Sequence, residues 1–429
     1  MKKLLFLLLL TSSKILFGQN QEFVSSDIEK FWSAFDKITS TNDTLLQKKY
    51  LKEIYLDKGS PGLQSLIEVR NYTESEFITA ILKYPNFWNS LRENSLNTKQ
   101  LYSEIEKDIS GLRKLYPDLK PSTIYFLLGA FRTGGTIQKN RVLIGCELSL
   151  GDETSVINEH PEFRQNFYRN YQPKKNIALL CTHEYIHTQQ NEPPDNLLSW
   201  CLYEGVAEFV SCLATSKKSN SPSIEFGKVN QERVFKKFSE ELFFPSWYDW
   251  LWGENANELK ERDLGYYIGY EICERYYNLS ANKQKAIKEL IELDYSNEAE
   301  VERIVDATKV FSERLSSMWE MYNKKRPTVI SVLPLQENRK INPGLMELSI
   351  TFSEPMDTTF RGFDFGPLGE EHIYRLMRVI GWTNKNKTFA IEVEVDENKK
   401  YQTFITNNFR NMQGIRLQPY LIEFETKGN

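Results

Sequence analysis

The chain has 429 residues, more than one ordinary domain needs, so two or three domains are expected. A net charge of −4 provides no basic surface for nucleic acid, and no nucleic-acid partner is expected. With 40% hydrophobic and 13% aromatic residues the chain can fill large cores, which excludes a disordered or low-complexity protein.

The first segment reads as a secretory signal over residues 1–18. Lys2 and Lys3 precede an apolar run from Leu4 to Leu10, Thr11-Ser12-Ser13-Lys14 interrupts it, and Ile15-Leu16-Phe17 leads to Gly18. The run is shorter than the ~20 apolar residues of a membrane span. No cysteine lies near the cleavage point, so no lipid anchor is expected, and no later segment reads as a transmembrane helix. The mature protein is expected outside the cytoplasm: periplasmic, at the cell surface or secreted. Five cysteines (Cys146, Cys181, Cys201, Cys212 and Cys273) sit in apolar surroundings and read as buried thiols, with a Cys181–Cys201 bridge left open.

Residues 19–117 read as a helical region. Ile28, Phe31, Trp32, Phe35 and Ile38 recur at helical spacing, Thr73-Glu74-Ser75-Glu76 is a capping box, and Lys99 to Tyr116 is amphipathic. A second domain is expected over 118–325. It starts with buried-strand runs at Thr123–Leu128 and Arg141–Cys146, around a turn marked by Gly134-Gly135-Thr136, and is helical from Lys175 to about Lys325. Arg326-Pro327 marks a boundary. Beyond it, short strands are expected at Val329–Leu333, Met346–Phe352, Met377–Trp382, Phe389–Val395, Tyr401–Thr406 and Leu421–Thr426, with turns at Asn342-Pro343-Gly344, Asn384-Lys385-Asn386 and Asp396-Glu397-Asn398. The fold class is α+β, and residues 327–429 read as a β-sandwich.

The chemistry concentrates at His183-Glu184-Tyr185-Ile186-His187, an H-E-x-x-H motif. On a helix the two histidines share a face and can meet one zinc ion, while Glu184 can take a proton from a water at the metal. Ile177 to Leu180 lead in as an apolar helix, and Asn191 and Pro193-Pro194 end it. Only four histidines occur in the chain, and two of them fall at this spacing. A catalytic zinc needs a third protein ligand. Sixteen residues after His187 comes Tyr203-Glu204-Gly205-Val206-Ala207-Glu208, inside an otherwise apolar run from Leu197 to Leu213. Two carboxylates there face a large desolvation cost unless they are paired or bound to metal. Glu204 is the simplest third ligand; Glu208, on the same face, would accept a hydrogen bond from a ligand histidine.

H-E-x-x-H followed by E-G-x-A-E resembles the gluzincin metallopeptidases. The short spacing and Trp200 are closer to the predicted zinc-dependent proteases of the peptidase-MA-like group than to the aminopeptidases. The resemblance covers roughly Ser122 to Tyr277. It implies a zincin-like, thermolysin-type helix pair on a small sheet, one Zn2+, hydrolysis of peptide bonds, and a substrate lying along an edge strand, either Phe131–Thr136 or Val142–Cys146. It also directs attention to Gly265-Tyr266-Tyr267-Ile268-Gly269-Tyr270, where Tyr267 or Tyr270 would stabilise the oxyanion, unless both are core aromatics.

Ile350-Thr351-Phe352-Ser353-Glu354-Pro355-Met356-Asp357 resembles the bacterial Ig-like domains of surface and secreted proteins, over nearly all of Pro327 to Thr426. That implies a spacer or an interaction module without catalysis. The expected partner is a peptide or protein substrate. The competing expectation is a non-catalytic exported zinc-containing binding or surface interaction protein; Glu184 weighs against it, because a structural zinc site needs no base.

Overall fold

A computed structural model describes residues 21–243, 247, 249–253, 257–335 and 340–428. The expected signal sequence lies outside the described residues. The chain is 49% helical and 17% strand, so the coarse expectation of an α+β protein holds. Two compact units are present: residues up to 190 with 210–220, and residues 191–209 with those from 221 onward.

The first unit carries helices α1 (Ser26–Thr39), α2 (Thr44–Tyr50), α3 (Pro61–Arg70), α4 (Glu74–Lys83), α5 (Pro85–Leu96) and α6 (Tyr102–Leu115). They form where the apolar spacing predicts. Ile28, Phe31, Trp32, Phe35 and Ile38 are the buried face of α1. The capping box that opens α4 is made in full: the Thr73 hydroxyl accepts from the Glu76 N–H at 3.3 Å, and Glu76 accepts from the Thr73 N–H at 2.8 Å.

Four strands make the sheet of this unit: β1 (Phe23–Val24), β2 (Thr123–Leu127), β3 (Gly135–Gln138) and β4 (Arg141–Gly145), in the order β1-β2-β4-β3. The runs β2 and β4 are parallel and buried, which is why they read as continuously apolar rather than alternating. Two expectations are corrected. Gly134-Gly135-Thr136 is not the turn: Gly135 starts β3, and the hairpin reverses at Lys139, where φ is +55°, and Asn140. Val142–Cys146 cannot be an edge, because β4 lies between β2 and β3; the edges are β1 and β3. Helices α7 (Cys146–Ser149), α8 (Glu162–Tyr171) and α9 (Ile177–His187) complete this part of the chain.

The loop before β3 is held by one buried carboxylate. Glu147 accepts the N–H of Gly129 at 2.9 Å and of Phe131 at 3.1 Å, while its own carbonyl accepts the Tyr168 hydroxyl at 2.6 Å. Phe131 sits at φ +65°, an unfavourable conformation for a bulky residue, with its ring clamped among Tyr84, Phe87 and Trp88.

The second unit contains α10 (Leu197–Thr215, through Phe209), α11 (Pro222–Val229), α12 (Gln231–Glu241), α13 (Leu264–Leu279), α14 (Lys283–Ile291), α15 (Glu298–Thr308) and α16 (Leu315–Lys324). α10 has the length and hydropathy of a membrane span, contrary to the expectation that no later segment would. It carries Glu204 and Glu208, and 72% of its apolar window is buried inside protein, the mark of a core helix. α10 and α13 cross at two glycines. A Cβ on Gly205 would lie 2.1 Å from the Gly269 carbonyl carbon, and one on Gly269 would lie 1.8 Å from the Cys201 carbonyl oxygen. Only two hydrogens fit in that crossing, and it fixes the helix turn bearing Glu204.

Beyond Pro327 the same unit has eight strands: β5 (Val329–Leu333), β6 (Lys340–Ile341), β7 (Gly344–Phe352), β8 (Phe363–Phe365), β9 (Arg375–Thr383), β10 (Thr388–Val395), β11 (Lys400–Ile405) and β12 (Tyr420–Thr426). They form two sheets, β5-β7-β10-β9 and β6-β12-β11-β8. Alternate residues of β7 and β10 (Leu348, Ile350, Phe352; Phe389, Ile391, Val393) share one core with Tyr401, Ile405, Ile422 and Phe424 from the other sheet. All five cysteines are buried thiols, and Cys181 and Cys201 are not bridged.

Two outcomes follow from this packing. Gly269→Ala should lower stability by about 3 kcal/mol, because backbone on the facing helix cannot yield to a methyl group; urea denaturation against wild type measures it, and a loss below about 0.5 kcal/mol would refute the close crossing. Burial raises the Glu147 pKa from 4.5 to about 6, with the Gly129 and Phe131 N–H groups pulling the other way. The folded state therefore holds this proton more tightly than the unfolded chain. Its contribution is full below pH 4.5 and is lost as pH rises through 6, worth about 2 kcal/mol. Denaturation of wild type and Glu147→Gln between pH 4 and 7 should show that loss as the difference between the two curves, since the slope from His160 is common to both.

Candidate metal centre

α9 is buried along nearly its whole length, as its apolar opening residues Ile177, Ala178 and Leu179 require. Its last two turns carry His183, Glu184 and His187, all buried. The spacing of four residues turns both imidazoles the same way: their Nε2 atoms lie 3.0 Å apart and their rings are nearly perpendicular. Two nitrogens bound to one tetrahedral zinc at 2.0–2.1 Å are about 3.3 Å apart, so the pair is already near the spacing of two ligands.

Glu204 completes the group. One ligand atom each from His183, His187 and Glu204 lie within 4.8 Å of one another, and all three residues are buried. Among the described residues, this is the one group of three or more His, Cys, Asp or Glu side chains that meets this distance. Two imidazole nitrogens and a carboxylate oxygen suit zinc, and three protein ligands leave a coordination position for a reactant.

The tautomer of His187 is fixed by a residue the sequence did not single out. The Nδ1 of His187 lies 2.7 Å from Oε1 of Gln190, so the ring donates its Nδ1 proton there and keeps the Nε2 lone pair for the cluster. Sequence reasoning gave an orienting role to Glu208. Glu208 is buried one turn beyond Glu204. Position three residues beyond a ligand histidine was the available signal, and a polar residue at a helix end carries too little information to stand out.

Glu184 has a second, unexpected neighbour. A Cβ on Gly135 would lie 2.5 Å from Glu184 Oε1, so the edge strand β3 reaches the carboxylate only because residue 135 has no side chain. This glycine serves close approach, not a special backbone angle.

The tyrosines of α13 are placed differently from the three gathered ligands. The Tyr267 ring is fully buried against Gly227 and faces Phe235 at 6.0 Å. Burial and the nearby Glu271 push its hydroxyl well above the usual tyrosine range. Tyr270 packs edge-on to Phe209, lies under Lys228 and donates to Glu274 at 3.4 Å. Both rings have core contacts. Asp263, at the start of α13, is more tightly linked to the ligand set: burial raises its pKa, and the negative charge of Glu204 adds to that rise.

The other two histidines are accounted for. His160 is enclosed by Tyr84, Phe87, Phe131 and Tyr168, and burial lowers its pKa to about 3, so it stays neutral. His372 Nδ1 lies 2.8 Å from the Lys400 carbonyl oxygen, which holds it to β11.

No family model matches the chain, and no curated protein matches it. Among solved structures, the S-layer protein rSbsC(31-844) aligns with 94% of this chain and 44% of its own, at 9% identity and a TM-score of 0.18. Domains 1–6 of the surface layer protein SbsC align similarly, over 94% and 45%, at 11% identity and a TM-score of 0.18. The chain spans less than half of these proteins, and similarity at this level carries no argument about fold or function.

Proposed function

We propose that the protein is an exported zinc metallopeptidase with a zincin-like, thermolysin-type catalytic part followed by an Ig-like β-sandwich. The observation that carries this reading is the buried group of His183, His187 and Glu204, with Glu184 next to His183 on the same helix. Export is supported by the order of charged, apolar and small residues over Lys2 to Gly18. The two sheets sharing one core support the sandwich, for which a spacer or interaction role is proposed.

Zinc held by these three side chains would polarise the scissile carbonyl and acidify an attacking water toward a pKa of ~7. The remaining work belongs to the chain. Glu184 takes the proton of the attacking water and returns it to the leaving amine. Gln190 keeps the His187 Nε2 lone pair available by accepting the Nδ1 proton. β3 pairs with β4 on one side only, so its other edge offers N–H and C=O groups to an extended peptide, and Gly135 lets that peptide come near Glu184. Hydrogen bonding along an edge strand is indifferent to side chains and fits a peptide better than a non-peptide amide.

The zinc-loaded protein should cut an unbiased peptide pool, read by mass spectrometry, and Glu184→Gln should lower the rate by ~10³-fold while still holding one zinc per chain. His183→Ala should lose the metal, read by elemental analysis, along with the cleavage. Cuts that persist in Glu184→Gln would mean a contaminant; a zinc-loaded wild type that cuts nothing would leave a binding protein. Gly135→Ala should reduce cleavage by at least ~10-fold with zinc retained, because its methyl group displaces the Glu184 carboxylate or the strand. Unchanged cleavage in that variant would remove β3 from the reaction.

A further inference from the structure

Three tryptophans from two segments of the second unit meet beside the helix turn that carries Glu204. Trp200 lies one turn before Glu204 on α10, so the two side chains share a face. Its ring is 5.3 Å from Trp247 and 5.3 Å from Trp252, and Trp247 and Trp252 are 6.4 Å apart. The rings cross at 81°, 62° and 44°, the edge-to-face and tilted arrangements that aromatic groups prefer.

Trp252 is the unusual member. It is 45% exposed, although burying a side chain of this size is ordinarily worth about 2–3 kcal/mol. Its backbone is left-handed, with φ +60°, an unfavourable state for a bulky residue. Exposed rings are usually loose, but this one is tied down. Its N–H donates to Asp263 Oδ1 at 2.8 Å, and its indole N–H donates to the Tyr266 hydroxyl at 3.2 Å. The chain accepts backbone strain to tie an exposed aromatic face against Trp200, one turn before Glu204 on α10.

We infer that Trp200, Trp247 and Trp252 form the wall of a specificity subsite that receives an aromatic side chain of a peptide, adjacent to the bond at the metal. The inference rests on the peptidase reading for the position of that bond, but not for the binding of the ring. A phenyl or phenol ring completes the edge-to-face cluster and covers the exposed face of Trp252. A small side chain would leave that face in water.

Binding is measured first, in the full zinc-loaded chain carrying Glu184→Gln so that turnover does not interfere. The ligands are the blocked tripeptides acetyl-Ala-X-Ala-amide with X as Phe, Leu, Lys or Ala, followed by calorimetry. The Phe peptide should bind at least roughly 10-fold more tightly than the Ala peptide, Trp252→Ala should bring the two within about 2-fold, and Trp252→Phe should restore most of the difference. Circular dichroism of Trp252→Ala checks that the exposed site can be changed without unfolding. A preference for Lys, equal binding of Phe and Ala, or a Phe preference that survives Trp252→Ala each overturns the inference. Cleavage by the wild type separates the two proposals. Cutting without a Trp252-dependent Phe preference leaves the peptidase and removes the subsite. Trp252-dependent Phe binding without any cutting leaves the aromatic site and removes the peptidase.

Discussion

Buried charge is the constraint on which this architecture turns. Glu184, Glu204 and Glu208 are all buried, on helices that are otherwise apolar. A carboxylate taken from water into such surroundings costs several kcal/mol unless a cation or hydrogen-bond donors meet it. A divalent cation held by Glu204 and two neutral imidazoles would change the sign of that balance, and its binding energy would then become folding energy. α10 illustrates the same point: it is apolar enough to pass for a membrane span, yet it keeps two glutamates on one face at i and i+4.

The second constraint is close approach. Glu204 is positioned because its neighbour Gly205 meets Gly269 across a helix crossing with no room for a methyl group. Glu184 is reached by an edge strand because position 135 has no Cβ. None of these three glycines has positive φ, so their contribution is space, and each lies beside a residue of the site. A glycine inside a helix ordinarily costs about 1 kcal/mol relative to alanine. Here that cost is offset by contacts that place a carboxylate.

These considerations explain what could be read from the chain and what could not. The H-E-x-x-H spacing and the paired glutamates identify their own geometry, because four residues is a helix turn wherever it occurs; the residues that group as His183, His187 and Glu204 were legible for that reason. The longer strands of the C-terminal region were legible because their alternation reflects a single shared core. The strands β1, β6 and β8 were not, since two or three residues carry no period. β3 was misread as a turn because Gly134-Gly135 has the composition of one. The actual reversal is at Lys139, whose left-handed backbone nothing in its residue type announces. Gln190, Gly135 and the Trp200–Trp252 contact depend on which segments meet in space, and no local pattern encodes that. The tyrosines of α13 were legible as buried aromatics: Tyr267 packs against Gly227 and Phe235, and Tyr270 against Phe209.

The scaffold behind β3 shows how far the constraint on a site extends. An edge strand that is to present its backbone to a ligand must stay in place without a neighbour on that side. β3 is short, and no residue of it is fully buried, so its own packing contributes little rigidity. The loop before it supplies the restraint. Glu147 holds the N–H groups of Gly129 and Phe131, the Gly145 N–H donates to the Gly134 carbonyl, and Arg70 donates to the Thr133 hydroxyl. Phe131 adds an aromatic anchor, with the Arg164 guanidinium over its ring. A buried carboxylate with a raised pKa is thus used structurally. It stiffens the one segment of the sheet that has a free edge and a glycine facing Glu184. Perturbed titration alone would have marked Glu147 as a catalytic candidate. Its partners, two backbone N–H groups of one loop, identify it as a support for the loop that leads into β3.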